Sequence, residues 1–189
     1  TLYVDGLALL IGYLASGVGV LVFTYSAGYM HGEEGHVKYY ATLLAFMGAM
    51  LGVALAADLL ALFVFWELTS VTSFMLIWHH QREDASQYAA RKSMLITVAG
   101  GLFMLAGFLV LAFASGDALA SRTFVLIGTE GSLINNAEAV REALRASGLF
   151  VPALALVAVG AVTKSAQAPF HIWLPNAMEA PTPVSAFLH

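Results

Sequence analysis

The sequence predicts an all-α protein, a polytopic transmembrane helix bundle with one discontinuous helix. Its 189 residues are 60% hydrophobic and only 11% charged, whereas soluble domains carry about 25% charged residues. The apolar residues form long continuous runs, which favour spanning helices over alternating β-strands. The last long run contains Pro169, which has no N–H and whose ring clashes with the carbonyl group of Ser165 in a helix. We therefore expect the helix to break at Pro169.

Five apolar runs reach the length of about 20 residues that a spanning helix needs. They cover approximately residues 6–25, 39–57, 59–78, 93–115 and 149–172, and a sixth run begins near residue 183. Only Asp58 separates the second run from the third, which predicts a tight helical hairpin. Thr182 and Pro183 suit the cap and the first position of the sixth helix. We interpret residues 1–189 as a fragment of one longer transmembrane domain.

Charges in the connecting loops predict an orientation in the membrane. The basic residues on one side are Lys38, Arg82, Arg91 and Lys92, and those on the other side are Arg122, Arg141 and Arg145. The second set is spread over a longer loop. Because loops rich in Lys and Arg remain in the cytoplasm, we expect loop 79–92 to be cytoplasmic.

The longer loop is predicted to contain a short surface helix at residues 136–148. Asn136 is expected to cap its start and Gly148 to close its end. Val140 and Leu144 are four residues apart and share one face. This face is expected to pack near the membrane.

Several classes of function are excluded by composition and motifs. The chain has no cysteine, which excludes disulfides, cysteine-bound iron–sulfur clusters and thiolate zinc sites within it. Its formal net charge of −4 offers no basic surface for nucleic acid. The adjacent His79 and His80 point in different directions on a helix, so we interpret them as interfacial residues. We expect no cofactor site, no metal site and no nucleic-acid partner.

Two isolated charges of opposite sign stand out within the apolar runs. Glu67 is the only charged residue in 59–78, and Lys164 is the only formally charged residue in 146–178. A charge at the centre of a bilayer costs about 2.5–3.5 kcal/mol on insertion scales. Residues that carry this cost are typical of ion or proton pathways. A buried ion pair that only anchors the fold is the alternative interpretation.

The neighbours of these charges give auxiliary candidates. Ser70 lies one helical turn after Glu67 on the same face, although a helix hydroxyl usually bonds back to a backbone carbonyl. Lys164 lies within two turns of the expected break, and broken helices at membrane depth line cavities or pathways. A lysine that reaches to the membrane surface is the alternative. His171 shares the face of Lys164 if the helix continues, and it can titrate near neutral pH.

Three segments of the chain carry a resemblance to a known family. They are Phe65-Trp-Glu67-Leu-Thr-Ser-Val-Thr-Ser-Phe74, Arg91-Lys-Ser-Met-Leu-Ile-Thr97 and the long segment from Thr163-Lys164-Ser to Ala-Phe-Leu-His189. They resemble the antiporter-like subunits shared by Mrp-type Na+/H+ antiporters, respiratory complex I and membrane-bound hydrogenases. The motifs Phe-His-Ile-Trp-Leu-Pro and Met-Glu-Ala-Pro in the last segment are most similar to the large A subunit of Mrp antiporters.

The resemblance implies roles for particular residues. Glu67 corresponds to the essential glutamate of the family, Lys164 to its central lysine and His189 to the next histidine of a proton relay. The five spans correspond to family helices three to seven, of which the seventh is broken, and loop 79–92 is cytoplasmic. Some complex I members carry an acid where this chain has Gly101, so that part of their relay is not carried over. The second half of the family's repeat is absent from this sequence.

These observations together predict a subunit of a secondary transporter rather than an enzyme. We expect it to move protons through Glu67, Lys164 and His189 in a multi-subunit Na+/H+ antiporter of a prokaryotic plasma membrane. Its expected partners are the lipid bilayer, H+, Na+ and other membrane subunits of the same complex. The nearest alternative is the homologous proton-pumping subunit of complex I or of a membrane-bound hydrogenase. A non-conducting membrane scaffold, in which both charges are structural, is the alternative of a different class.

Overall fold

The computed structural model describes residues 2–188, which form a bundle of α-helices without β-strands. The seven helices within this range are α1 Gly6–Tyr29, α2 His36–Leu55, α3 Leu59–Ile77, α4 Asp84–Leu119, α5 Ala137–Ala146, α6 Phe150–Lys164 and α7 Thr182–Leu188. Two short 3₁₀ helices, Phe170–Trp173 and Asn176–Glu179, connect α6 to α7. The predicted fold class, an all-α bundle with one discontinuous helix, is confirmed.

The predicted hairpin between α2 and α3 turns at Asp58. The Asp58 carboxylate accepts hydrogen bonds from the backbone N–H groups of Leu60 at 2.9 Å and Ala61 at 3.1 Å, and thereby caps the first turn of α3. The long loop after α4 covers this turn, since Leu59 N–H donates to the carbonyl of Phe124 at 2.9 Å. The start of α3, and with it the position of every side chain along α3, is therefore fixed.

The longest helix, α4, begins earlier than its apolar run predicted. It contains 36 residues from Asp84 and is about 54 Å long at 1.5 Å per residue, whereas the apolar run began at residue 93. The first turns are polar but favour helix, and Asp84 lies in the first turn, where a negative charge is favourable. Ser86 Oγ donates to the carbonyl of Ile77 at 2.7 Å, so the start of α4 is bonded to the end of α3. Arg91 and Lys92 consequently lie on a helix and not in a loop.

The predicted surface helix is present as α5. Val140 and Leu144 are both buried beneath it, and Gly148 follows it with φ of +72°, a conformation that favours glycine. The prediction for the Asn136 side chain is wrong. Its amide donates to the carbonyls of Glu130 and Ser132 and does not bond to the helix start, because the preceding loop folds back onto it.

The backbones of α4 and α6 approach closely where glycines replace larger side chains. A Cβ atom built on Gly107 would lie 2.6 Å from Val157 Cγ2. A Cβ atom on Gly160 would lie 2.9 Å from the carbonyl oxygen of Gly100. Small residues at such positions allow helices in membranes to pack backbone against backbone. The contact holds α6 firmly against the middle of α4.

The break in the last apolar run occurs before the position that the sequence predicted. Helix α6 ends at Lys164, five residues before Pro169, because Ala166 adopts a positive φ of 51°. The Trp173 indole N–H also donates to the carbonyl of Thr163 at 3.0 Å. The Thr163 carbonyl also accepts a hydrogen bond from the Ala166 N–H at 3.3 Å, so the indole adds the shorter bond to a carbonyl group at the helix end. The break is therefore stabilised by a tertiary contact that no local sequence pattern announces.

Helices α1 to α4 are each long and apolar enough to cross a membrane. Helix α6 has only 15 residues, fewer than a full span. The chain bends by 113° between α5 and α6. Helix α5 carries exposed charged residues such as Arg141 and Glu142. A crossing that includes α5 would bury those charges. The predicted fifth span, 149–172, stays a prediction that needs the non-α segment after Lys164 to complete it.

A polar cavity of about 580 Å³ lies between the loop before α2 and the loop after α3. His79 lines this cavity, and its ring packs edge-on against Tyr39 with 5.5 Å between centroids. Burial lowers the pKa of the His79 imidazole, and the neighbouring His80 and Lys38 lower it further, while Glu33 opposes them. No cluster of His, Asp and Glu within residues 2–188 is arranged to hold a metal ion. The interfacial role of His79 and His80 stays a prediction.

Replacing Trp173 with Phe is expected to lower the free energy of unfolding by about 0.5–1.5 kcal/mol, because the Thr163 carbonyl would lose its shorter hydrogen bond and keep only the 3.3 Å bond from the Ala166 N–H. Trp78→Phe is the matched control, since the Trp78 indole N–H is buried without a hydrogen-bond partner within residues 2–188. That control should be neutral or stabilising. Thermal unfolding of the purified full-length protein measures both effects, and equal losses for the two variants would contradict the role given to Trp173.

Acid is expected to destabilise the loop region through His79. The fold depresses the pKa of His79 below its ordinary value near 6.5, so the folded protein binds this proton more weakly than the unfolded protein does. The stability that the neutral His79 ring contributes is therefore present above the ordinary pKa near 6.5. It is lost as the pH falls through the depressed pKa of the folded protein. His79→Phe keeps an aromatic ring against Tyr39 and should flatten the dependence of the melting temperature on pH below 6.5. An unaltered dependence would show that other groups cause it.

Candidate functional site

A polar layer separates two apolar clusters of the bundle. One cluster contains Leu76 and Ile77 at the end of α3, and the other contains Leu59 at its start. Glu67 lies between them in the middle of α3. Helix α4 contributes to both clusters, and α6 to the one that contains Leu59. Gly101 in the middle of α4 lies against Glu67, and Lys164 at the end of α6 contacts Ser70, so the three helices meet at this level. The candidate site is built at this level.

The Glu67 carboxylate points toward α4 and rests on Gly101. A Cβ atom built on Gly101 would overlap Glu67 Oε1 and would lie 2.9 Å from the carboxyl carbon. Glu67 Oε1 is buried and has no hydrogen-bond partner within residues 2–188. A buried oxygen in this condition costs about 1–3 kcal/mol. The carboxylate is thus placed in an unfavourable environment that a change of partner can relieve.

The Lys164 ammonium group is bound to α3. Its Nζ donates to Ser70 Oγ at 2.7 Å and to the carbonyl of Trp66 at 3.4 Å. It also lies 5.8 Å from the centroid of the Trp66 ring, within the range of a cation–π interaction. Lys164 is the last residue of α6, where the helix dipole favours a positive charge. Four features of the protein therefore replace water around this cation.

Glu67 and Lys164 do not form an ion pair, although the Lys164 side chain contacts the part of α3 that contains Glu67. Within residues 2–188, the ion pair whose nitrogen and oxygen atoms lie within 4.0 Å of each other is formed by Glu138 and Arg141 on the surface of α5. The partners of Lys164 are Trp66 and Ser70, which lie one residue before and three residues after Glu67. Lys164 is therefore bound to residues on either side of Glu67, while Glu67 Oε1 has no hydrogen-bond partner within residues 2–188.

The hydroxyl groups that follow Glu67 fall into two kinds. Thr69, Thr72 and Ser73 donate to backbone carbonyls of α3 at 2.6–2.7 Å, as the sequence predicted. Ser70 makes only a long bond of this kind, at 3.5 Å, and accepts the bond from Lys164. Ser70 is therefore the hydroxyl that contacts the candidate site.

A cavity of about 250 Å³ adjoins Lys164 where α6 ends. Its lining includes Ser165, Ala166 and Trp173 from the broken segment and Leu188 from α7. The cavity exists because the chain leaves the helical path after Lys164. Its volume exceeds by several-fold the roughly 30 Å³ that one water molecule occupies in the liquid. The break thus leaves space for water beside the ammonium group.

The remaining candidates are not all brought to this site. Pro169 lies exposed in the segment between α6 and the first 3₁₀ helix. His171 is exposed in that 3₁₀ helix. Because α6 stops at Lys164, His171 and Lys164 do not share a helical face. His189 lies outside the described residues.

Two contacts of the site were missed from the sequence. Trp66 supplies a carbonyl and a ring to Lys164, and its position next to Glu67 was the only signal for it. Gly101 was noted for the absence of a carboxylate, whereas the structure shows it supporting Glu67. That contact depends on which helices are neighbours.

Two models of known families match most of the chain. Residues 56–189 match the sequence model described as "NADH:quinone oxidoreductase/Mrp antiporter, TM". Residues 1–40 match the model described as "NADH-Ubiquinone oxidoreductase (complex I), chain 5 N-terminus". The first match contains Glu67, Ser70, Gly101 and Lys164.

Curated relatives have names of the same kind. The chain is 50% identical over 188 residues to the A1 subunit of the Na(+)/H(+) antiporter of Staphylococcus haemolyticus. It is 51% identical over 190 residues to the A subunit of the Na(+)/H(+) antiporter of Alkalihalophilus pseudofirmus. Each match covers 100% of this chain and 22% of the relative. The chain therefore spans about a fifth of the length of these relatives, which are antiporter subunits and not enzymes.

A solved structure of the Mrp complex from a Dietzia species contains the same fold. One of its chains is similar to this one with a TM-score of 0.78 and 36% sequence identity, over 98% of this chain and 19% of that chain. The resemblance to the A subunit of Mrp antiporters is confirmed. This chain belongs to the NADH:quinone oxidoreductase/Mrp antiporter transmembrane family.

Proposed function

We propose that this chain is the proton-translocating part of the A subunit of a bacterial Mrp-type Na+/H+ antiporter. The observation that carries the proposal is the arrangement of two opposite charges at one level of α3: Lys164 is bound by Ser70, while Glu67 Oε1 has no hydrogen-bond partner within residues 2–188. The relatives, which are named as A and A1 subunits of Na(+)/H(+) antiporters, support the choice of Na+ as the exchanged cation.

Glu67 is the proton carrier in this proposal. Its Oε1 atom has no donor within residues 2–188, so a proton, a water molecule or the Lys164 ammonium group would each improve its environment. Lys164 needs only a rotation of its flexible side chain to leave Ser70. The carboxylate can therefore exchange a proton for an ion-pair partner without movement of a helix.

Lys164 passes the proton onward from the Glu67 side. Its ammonium group lies between α3 and the cavity at the end of α6. Water in this cavity would connect it to the next group, which the family resemblance assigns to His189. Ser70 holds the ammonium group in reach of Glu67, and the early end of α6, before Pro169, opens the cavity. His171 is an auxiliary proton acceptor at the exposed end of this segment.

The proposed setting is a multi-subunit complex in the bacterial plasma membrane. The solved relative is part of a Mrp complex, which supports other membrane subunits as partners, together with the surrounding lipid. Exposed apolar side chains along α1, such as Leu10, Leu14 and Leu21, suit contact with lipid or such subunits. Residues 79–92, which form the loop after α3 and the first turns of α4, face the cytoplasm in this proposal, as the positive-inside rule favours.

A redox-driven complex is the second candidate, because the matching family description also names NADH:quinone oxidoreductase. Identity of 47–51% to A subunits of antiporters favours the antiporter. A scaffold without transport is the third candidate. It requires both charges to be structural, and the following variants separate it from the proposal.

Glu67→Gln is expected to reduce Na+/H+ antiport at least tenfold while the complex still assembles. Glutamine keeps the shape and hydrogen-bonding capacity of the side chain but cannot carry the proton. Antiport is measured in inverted membrane vesicles with a dye that reports the pH gradient. Glu142→Gln, on the exposed face of α5, is the matched control and should transport normally. Wild-type antiport by Glu67→Gln would favour the scaffold.

Ser70→Ala is expected to slow antiport about two- to tenfold, since Lys164 loses its shorter hydrogen bond but keeps the Trp66 carbonyl. A hydrogen bond to a charged group contributes about 1.5–3 kcal/mol, and part of this is recovered by water. Ser73→Ala is the control, because Ser73 donates only to a carbonyl of its own helix. Lys164→Ala should abolish antiport in the same vesicles. Equal rates for both serine variants would remove Ser70 from the proposal.

A further inference from the structure

The glycines of α4 face two different neighbours. Gly100 and Gly107 face α6, where a Cβ atom would lie 2.6 Å from Thr163 Cβ or from Val157 Cγ2. Gly101 is buried as well, but the atoms that a Cβ would meet there belong to the Glu67 side chain of α3. Close packing of helices accounts for Gly100 and Gly107. It does not account for Gly101, whose neighbour is an ionisable group.

The space at Gly101 decides where the Glu67 carboxylate can lie. A Cβ there would overlap Oε1 and would lie 2.9 Å from the carboxyl carbon and 3.6 Å from Oε2. The carboxylate therefore occupies the volume that a side chain at position 101 would fill. The Lys164 ammonium group, at the end of α6, contacts α3 through Ser70 and Trp66. The two groups are held apart by separate supports, Gly101 for the carboxylate and Ser70 for the ammonium group.

We propose that Gly101 is a positioning residue for proton transfer, whose missing side chain forms a recess that holds the Glu67 carboxylate on α4 and apart from Lys164. The inference rests on the proposed role of Glu67 and adds the element that sets its resting position. In this chain, a side chain added at position 101 would displace the carboxylate from the recess. Glu67 and Lys164 would then lose the separation from which each transfer starts.

The recess should be removable without unfolding the protein. At Gly101 the atoms in the way are the far end of a flexible glutamate, which can rotate aside. Alanine also has a higher helix propensity than glycine. At Gly107 a Cβ would meet Val157 and the backbone of α6, which cannot rotate aside. The two alanine substitutions are therefore expected to act in opposite ways on stability.

The test compares Gly101→Ala with Gly107→Ala and Gly48→Ala in the full-length protein within its complex. Gly101→Ala should leave the melting temperature unchanged or raised, while antiport falls at least tenfold and its pH optimum moves. Gly107→Ala should lower the melting temperature, with the pH optimum retained in the complexes that assemble. Gly48→Ala, where nothing lies within 4 Å of the added atom, should leave antiport and its pH optimum unchanged, with the melting temperature unchanged or raised by the helix propensity of alanine.

A shorter acid provides the rescue. Glu67→Asp withdraws the carboxylate by one methylene group and leaves room for the alanine Cβ. The double variant Gly101→Ala with Glu67→Asp should therefore transport faster than Gly101→Ala alone, an interaction typical of residues in contact. If Gly101→Ala alone does not assemble, assembly of the double variant supports the recess.

Two results would overturn the inference. One is wild-type antiport with an unchanged pH optimum in Gly101→Ala, and the other is a loss that Glu67→Asp does not rescue at all. Glu67→Gln measured in the same assay distinguishes a failure of the recess at Gly101 from a failure of the proton-carrier role of Glu67. If Glu67→Gln is inactive and Gly101→Ala is normal, only the recess is wrong. If Glu67→Gln transports normally, the proton-carrier role of Glu67 is wrong.

Discussion

The Lys164 ammonium group lies at the end of a helix inside the bundle, and the surrounding structure supplies what water would otherwise provide. Ser70 and the Trp66 carbonyl accept its hydrogen bonds, the Trp66 ring faces it, and a cavity opens beside it. The cavity requires α6 to stop at this residue, because Ser165, Ala166 and Trp173 of the broken segment line it. A continuous helix would fill the cavity and would also place Lys164 inside a helix, away from the C-terminal carbonyl groups that favour a positive charge.

Close packing brings the parts of the site to one level. Gly107 and Gly160 let α4 and α6 approach closely, while Asp58 fixes the start of α3. The apolar clusters on both sides of the polar layer make these positions rigid, since protein interiors are packed as densely as organic crystals. The ionisable side chains are then the movable elements within a fixed frame. This agrees with transfer by rotation of side chains between helices that stay in place.

The sequence predicted the helices and the charges well, because both signals are local. Apolar runs marked α1 to α3 within a few residues, and an isolated charge in such a run marked Glu67 and Lys164. Predictions were wrong where tertiary contacts decide. Polar residues that favour helix extended α4 to Asp84, and contacts made by Trp173 and Ala166 ended α6 before Pro169. The bond from Lys164 to Ser70 and the recess at Gly101 depend on which helices are neighbours, which one sequence does not reveal.

The separation of the two charges also has an energetic meaning. Lys164 would give up a charged hydrogen bond of about 1.5–3 kcal/mol on moving from Ser70 to Glu67, and it would gain an ion pair and relieve the unpartnered Glu67 Oε1. These quantities are of similar size, so the paired and separated arrangements differ by only a few kcal/mol. A difference of this size is one that a bound proton, or the field of a neighbouring charge, can reverse. An arrangement in which both charges were fully satisfied would be more stable, and it would suit the proposed proton relay less well.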